Sequence, residues 1–249
     1  MSEIILGIIQ GFTEFLPVSS SGHLTIFSEF ISFEQDPSFF ALLHLATFFA
    51  VFIFVFKEIK DILIGIFKLD SEILSLVFKL IVSTVPAVLA GFLLEDFFKN
   101  MFNSVDMVAT FLIITSIMMF LSDFFNNNQK DMKNISYKTA LIIGLFQAFA
   151  ILPGISRSGA TLFAALMLGM TKKSAVKYSF LMSLPVTFGA GILEIGKVDM
   201  SLNVIFGAIV AFLSGLIGLV LVKKSVINGK LKIFSLYTLV LAIFTYIYF

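Results

Sequence analysis

The chain has 249 residues, of which 59% are hydrophobic and 13% charged, and its formal net charge is +1. With a mean hydropathy of +1.04, it carries more apolar surface than a soluble domain of this size could hide, which excludes the soluble globular classes and indicates a polytopic membrane protein. The absence of cysteine excludes disulfides, thiolate metal sites and a cysteine nucleophile, and nothing in the composition points to nucleic acid. No polar stretch is long enough for a soluble domain, so residues 1–249 read as a single membrane domain. The opening Met1-Ser2-Glu3 is acidic, and polar residues interrupt the apolar run after it, unlike a cleavable signal.

In chain order, the first apolar stretch, Ile4–Phe33, is broken in its middle by Pro, Gly and Ser. Predicted spans of about 20 residues follow near Phe39–Phe56, Leu76–Leu94 and Val105–Phe125. A second broken stretch, Tyr137–Met170, precedes three more spans near Ala175–Ile195, Leu202–Val222 and Ile233–Phe249. Each broken stretch reads as two half-length helices joined by irregular chain, which membrane depth tolerates only inside protein or beside a wet cavity. The predicted architecture is therefore an all-α membrane protein with six transmembrane helices and two re-entrant helix pairs, at about 4–33 and 137–170.

The lysines orient this arrangement. Lys57, Lys60 and Lys68 share one break; Lys130, Lys133 and Lys138 another; Lys172, Lys173 and Lys177 a third; and Lys223, Lys224, Lys230 and Lys232 a fourth. Lys99 and Lys197 fall in the opposite loops, and Lys79 lies near a helix end. If both broken stretches re-enter, the four rich breaks share one side, which the positive-inside rule makes cytoplasmic, with both termini outside. If either spanned fully, the lysines would scatter across both faces.

The two broken stretches resemble each other. Gly7-Ile8-Ile9-Gln10-Gly11-Phe12 matches Gly144-Leu145-Phe146-Gln147-Ala148-Phe149 at an offset of 137, Leu16-Pro17 matches Leu152-Pro153 at 136, and Ser21-Gly22 matches Ser158-Gly159 at 137. Both are followed by a span containing proline, Pro86 in one half and Pro185 in the other. Similar units inserted from opposite sides form an inverted repeat, which places a site near the midplane with half-helix N-termini aimed at it. Such N-termini favour anions. The sole arginine, Arg157, lies in the second break; its planar fork of donors matches phosphate and keeps its proton on burial.

The first break supplies Gln10 and Glu14, four apart on one helix face, then Ser19, Ser20, Ser21 and His23; the second supplies Gln147, Ser156, Arg157, Ser158 and Thr161. The hydroxyls of Ser19, Ser21, Ser156, Ser158 and Thr161 could hold phosphate oxygens, although serines at a helix start also serve as caps. Glu14 reads first as a site carboxylate, with a structural partnership with Arg157 as the alternative. His23 is placed for proton transfer, or to bond a backbone carbonyl. His44, inside a span, reads as a packing residue, and Tyr137, Tyr178, Tyr237, Tyr246 and Tyr248 as interface or packing residues. Glu14 and Gln10 could share a divalent cation, Mg²⁺ or Ca²⁺, with substrate phosphates.

At two motifs the chain resembles the undecaprenyl-diphosphatases of bacterial membranes, the bacitracin-resistance type. One is Gln10-Gly11-Phe12-Thr13-Glu14-Phe15-Leu16-Pro17-Val18-Ser19-Ser20 with Gly22-His23 after it; the other is Pro153-Gly154-Ile155-Ser156-Arg157-Ser158-Gly159-Ala160-Thr161. The resemblance covers nearly the whole chain. It implies six spanning helices, two re-entrant pairs and an inverted repeat, and removal of the terminal phosphate of undecaprenyl diphosphate with a divalent cation, recycling a lipid carrier of cell-wall synthesis. It also implies a bacterial inner membrane, with the site open to the outer face. The family's functional positions fall on Glu14, Ser20, His23, Ser156, Arg157 and Thr161, while Gln10 stands where many relatives have Glu. Expected partners are a polyprenyl diphosphate and the bilayer, with a homodimer as an assembly to test. Attack by Ser20, activated by Glu14 or His23, and direct attack by water both stay open, as does a lipid-phosphate carrier of the same fold.

Overall fold

The structure, a computed structural model, describes residues 1–34, 36–93, 104–125, 128–194 and 198–249. These form eleven helices with no strand among them. The first broken stretch becomes α1 (Ser2–Phe15) and α2 (Ser20–Phe30), followed by α3 (Pro37–Phe54), α4 (Phe56–Phe67), α5 (Ser71–Leu93) and α6 (Val105–Ser122). The second becomes α7 (Tyr137–Phe149) and α8 (Arg157–Met167), followed by α9 (Lys172–Glu194), α10 (Leu202–Ile227) and α11 (Lys232–Tyr248).

Five of these helices, α3, α5, α6, α9 and α10, are long and apolar enough to cross a membrane. The sixth expected span, α11, has 17 residues, about 26 Å of helix, and borders on that length. The halves of the broken stretches are 14, 11, 13 and 11 residues long, too short to span singly. The expected span ends at Leu94 and Ile195, and the loop lysines Lys99 and Lys197, lie outside the described residues.

The first lysine-rich break is a helix rather than a loop. α4 places Ile59 and Ile62 against the core and its lysines outward, an amphipathic pattern too short to cross a bilayer and suited to its surface.

Contacts draw all four lysine-rich breaks together at one end of the bundle. Lys177 pairs with Glu58 at 2.6 Å and Lys133 with Glu72 at 3.5 Å. The Lys130 amide donates to Gly169 O, the Thr171 amide donates to Lys130 O, and Asp131 accepts from the Ser174 hydroxyl at 3.0 Å. Asp123 receives the amides of Leu231 and Lys232. Buried Lys79 reaches the same end, donating to Lys133 O at 2.7 Å. Thus α7 leaves the lysine-rich end and α8 returns to it. The α1–α2 pair has its ends elsewhere, with Glu3 against Gly207 and Phe30 against Tyr248 near the C-terminus.

Packing follows an exchange rule that a two-fold repeat requires. Helix α1 lies against α10, and its counterpart α7 lies against α5. Both crossings are backbone-close: a methyl on Gly7 would sit 2.2 Å from Gly207 O, and one on Gly144 would sit 2.5 Å from Ser83 O. Small residues at such crossings let helices approach within backbone contact. This pairing corrects one expectation. Pro86 lies in α5, whose counterpart is α10, whereas Pro185 lies in α9, which packs on α3; the two prolines are not equivalent.

Candidate active site

The two irregular breaks, residues 16–19 and 150–156, meet inside the bundle. Proline fixes the backbone of each, and neither can continue a helix through Leu-Pro. In the first, the amide of Val18 turns back to Leu16 O at 2.8 Å, and Ser19 adopts a φ of +70°, a region sparse for residues with a side chain. The second uses Gly154, with φ +99°, where a methyl would lie 2.4 Å from Val108 O. The breaks touch directly, because Ser158 Oγ donates to Leu16 O at 3.2 Å.

Each break ends in the same cap. Ser19 accepts from the Gly22 amide at 3.3 Å and lies 3.3 Å from Ser21 Oγ; Ser156 accepts from the Gly159 amide at 3.1 Å and lies 3.2 Å from Ser158 Oγ. These hydroxyls satisfy first-turn amides that a helix start otherwise leaves open. Ser20 and Arg157 consequently occupy equivalent positions, each the first helical residue of its half-helix.

Glu14 gathers the centre. Its buried carboxylate pairs with Arg157 Nη2, accepts from Ser20 Oγ at 2.6 Å, and accepts from Gln10 Nε2 at 3.0 Å. His44 Nε2 stands 3.8 Å from the same carboxylate, while its Nδ1 faces Phe40 O at 2.8 Å. The remaining N–H groups of Arg157 donate to none of the described residues, leaving part of a rigid donor fork free beside a hydroxyl held by a carboxylate.

Other expected residues divide. Thr161 turns its hydroxyl to Arg157 O and to Ser179 Oγ at 2.7 Å, so it braces the first turn of α8. His23 is buried with both ring nitrogens occupied: Nδ1 is 2.7 Å from Ser19 O, and Nε2 is 2.7 Å from Tyr237 Oη. A carbonyl only accepts, so Nδ1 carries the hydrogen, and the neutral ring takes the Tyr237 hydroxyl at Nε2. The structure therefore brings together Glu14, Ser20, Gln10 and Arg157 and turns His23 toward α11.

Two residues differ from their sequence reading. His44 is not a mere packing residue, because α3 carries it to the Glu14 carboxylate. The signal was available: a titratable group at membrane depth is a functional candidate by default. Tyr237 is the hydrogen-bond partner of His23, stacked on it with ring centroids 5.6 Å apart, and no local pattern marks a pairing across 214 positions.

As for a cation, among the described residues Glu14 is the only carboxylate at the centre, and there is no cluster of three acidic, histidine or cysteine side chains. Gln10 Oε1 is buried without a partner. The donor set suits an ion sharing one carboxylate and one amide oxygen with phosphate oxygens, rather than a site enclosed by protein alone.

Fold and centre define a multi-pass helical membrane protein whose arginine keeps donors free beside a hydroxyl bonded to a carboxylate. The family model described as Bacitracin resistance protein BacA matches residues 3–244. A Methanococcus maripaludis protein named undecaprenyl-diphosphatase is 58% identical over 98% of both chains. Proteins of the same name from Thermosipho africanus and Thermotoga petrophila are 51% and 40% identical, covering 99% and 98% of this chain and 99% of each relative. The chain belongs to the BacA bacitracin-resistance family.

Tyr237→Phe leaves the buried Nε2 of His23 unpaired, at an expected cost of about 1–3 kcal/mol. Thermal unfolding in detergent checks this: a lowered midpoint is expected, and an unchanged one would remove the bond's structural role.

Proposed function

We infer that this chain hydrolyses undecaprenyl diphosphate to undecaprenyl phosphate and inorganic phosphate, the reaction for which its relatives are named. The observation that carries the site assignment is the Ser20 hydroxyl donating to Glu14 at 2.6 Å, beside an arginine with donors to spare. A hydroxyl on a carboxylate is the arrangement for base-assisted attack. The relatives are named for a hydrolase, and no contact at this centre favours the carrier reading.

In the proposed mechanism the prenyl tail stays among lipid-facing helices and the diphosphate enters between the two breaks. Arg157 grips phosphate oxygens with its free N–H groups, and the first-turn amides of α2 and α8 add partial positive charge. Ser20 Oγ attacks the terminal phosphorus and passes its proton to Glu14, while the anhydride P–O bond breaks and undecaprenyl phosphate leaves. Water then attacks the phosphoserine, releasing inorganic phosphate and restoring the Ser20 hydroxyl. Charge spreading over the equatorial oxygens draws more from Arg157 in the transition state than in the ground state, which is the condition for catalysis. His44, facing the same carboxylate, orients Glu14; His23 acts through the Ser19 carbonyl as a positioning residue for α2. A divalent cation, Mg²⁺ or Ca²⁺, would be held by Glu14 and Gln10 Oε1 with the substrate's phosphates, and supplies charge neutralisation there when bound.

The four lysine-rich breaks at one end support a cytoplasmic assignment for that end. Both helix pairs are then re-entrant, α1–α2 from outside and α7–α8 from inside, with the termini and the site's entrance on the outer face.

Phosphate release from undecaprenyl diphosphate by purified protein tests the activity. Arg157→Lys should lower turnover by about 10²–10³-fold, since a point charge cannot reproduce the fork, and a chelator should suppress wild-type release. Near-normal turnover in Arg157→Lys would refute the site, and full activity in chelator would refute the cation. For orientation, the cysteine-free sequence permits single-cysteine labelling. Ser2→Cys should react with an impermeant maleimide from outside and Lys60→Cys only after permeabilisation; the reverse would invert the topology.

A further inference from the structure

The lysine-rich end holds a cavity that the catalytic centre does not use. It is an open cleft between the last turn of α3 and the last turns of α10, with a volume of about 350 Å³, and a narrower recess of about 40 Å³ that shares Phe54, Lys223 and Ile227 with it reaches the starts of α4 and α9. Phe54, Val220 and Ile227 give it apolar walls; Lys223 and Lys224 line the cleft itself, and Lys173, Lys177 and Lys223 line the adjoining recess.

Its charge is unbalanced. Among the described residues Glu58 is the one carboxylate in the lining, and it is engaged by Lys177 at 2.6 Å. The Lys223 ammonium lies over the Phe54 ring, 5.5 Å from its centroid. Among the described residues, no carboxylate lies within ion-pair distance of Lys173, Lys223 or Lys224. Lys223 feels the Glu58 carboxylate only at longer range, so four lysines face an apolar-walled cleft with one carboxylate among them, and the cleft keeps a net positive charge. The outer wall runs into a lipid-facing strip, since Val220, Ile217 and Leu213 are all more than half exposed along α10.

We propose that this cleft binds the phosphate headgroup of an anionic phospholipid from the leaflet at the lysine-rich end. The headgroup phosphate meets Lys173, Lys223 and Lys224, and an acyl chain follows Val220 along α10. Cations at a membrane surface attract anionic lipid, and a basic pocket between helices gives that attraction a fixed geometry. A free anion would satisfy the lysines but leave the apolar walls uncovered, which is why the occupant is lipid. The cleft is closed from the catalytic centre by aromatic rings: Phe180 packs on Phe54 and on Phe15, with centroids 5.8 and 6.1 Å away, and Phe15 adjoins Glu14. A lipid held here stabilises the junction of α3, α9 and α10 without entering the site.

The test is thermal unfolding of the full chain in neutral detergent, titrated with dioctanoyl phosphatidylglycerol, dioctanoyl phosphatidylcholine or inorganic phosphate. Phosphatidylglycerol should raise the midpoint saturably, and the other two should not. In Lys173→Gln/Lys223→Gln/Lys224→Gln the apparent affinity should fall about a hundredfold, from about 1 kcal/mol per lysine. A control, Lys57→Gln/Lys60→Gln/Lys138→Gln, removes the same charge from the same end and should keep the wild-type response. Should the first variant fail to fold, Lys173→Gln/Lys224→Gln keeps Lys223 on Phe54 and still weakens binding. Equal loss in the control would reduce the effect to unspecific surface charge, and an equal response to inorganic phosphate would make this a free-anion site; either overturns the proposal. Phosphate release in detergent without added lipid should be unchanged in the first variant, which separates this site from the catalytic one.

Discussion

The rest of the structure depends on one buried ion pair, Glu14 with Arg157, contributed by opposite halves of the chain. Neither charge could be held at this depth alone, and desolvating two of them is repaid only by close pairing plus further hydrogen bonds. Ser20 and Gln10 supply those bonds to the carboxylate. The pair thereby locks two irregular breaks against each other at the place where backbone without helical bonding most needs protein around it. It also leaves Arg157 with donors unused among the described residues, which the proposed mechanism turns to the substrate's phosphates.

The repeat explains how such a site arises and where it departs from symmetry. Both halves use the same serine cap on the same glycine amide, and both cross a neighbouring helix through glycine. Function enters at two differences. At the first helical position one half places Ser20 and the other Arg157; one half-helix ends in Glu14, whereas the other has Ala150-Ile151 in that region. A symmetric centre would hold two hydroxyls or two cations. In the proposed mechanism the broken symmetry puts nucleophile and base on one side and the phosphate grip on the other. Gln10 and Gln147 keep the older likeness: each is buried with an unpartnered Oε1, but only Gln10 lies beside a carboxylate.

Much of this was legible in the sequence. Proline and glycine interrupting apolar runs marked the breaks, lysine clustering marked one end, and the lone Arg157 marked the centre; each follows from the cost of charge or unpaired backbone in hydrocarbon. What escaped reading depends on packing between distant helices. His44 sits in an apolar span like any tolerated polar residue until α3 packs beside α1 and α10. Tyr237 lies on the last helix, and only the docking of α6 with α11 brings it to His23. The proline correspondence misled because the repeat pairs helices by their crossings, and a kink can fall on any of them. Helix α4 was missed because its lysines dominate the composition while its isoleucines set the period.

The most direct test of the central claim is a double-mutant cycle on stability, with Glu14→Gln, Arg157→Gln and both together, measured by thermal unfolding of purified protein. Each single variant strands a buried charge and should lose about 3–5 kcal/mol, whereas the double variant, with no charge left to strand, should be more stable than either. Additive losses would contradict the account, because they would mean that the two residues do not hold the halves together through each other.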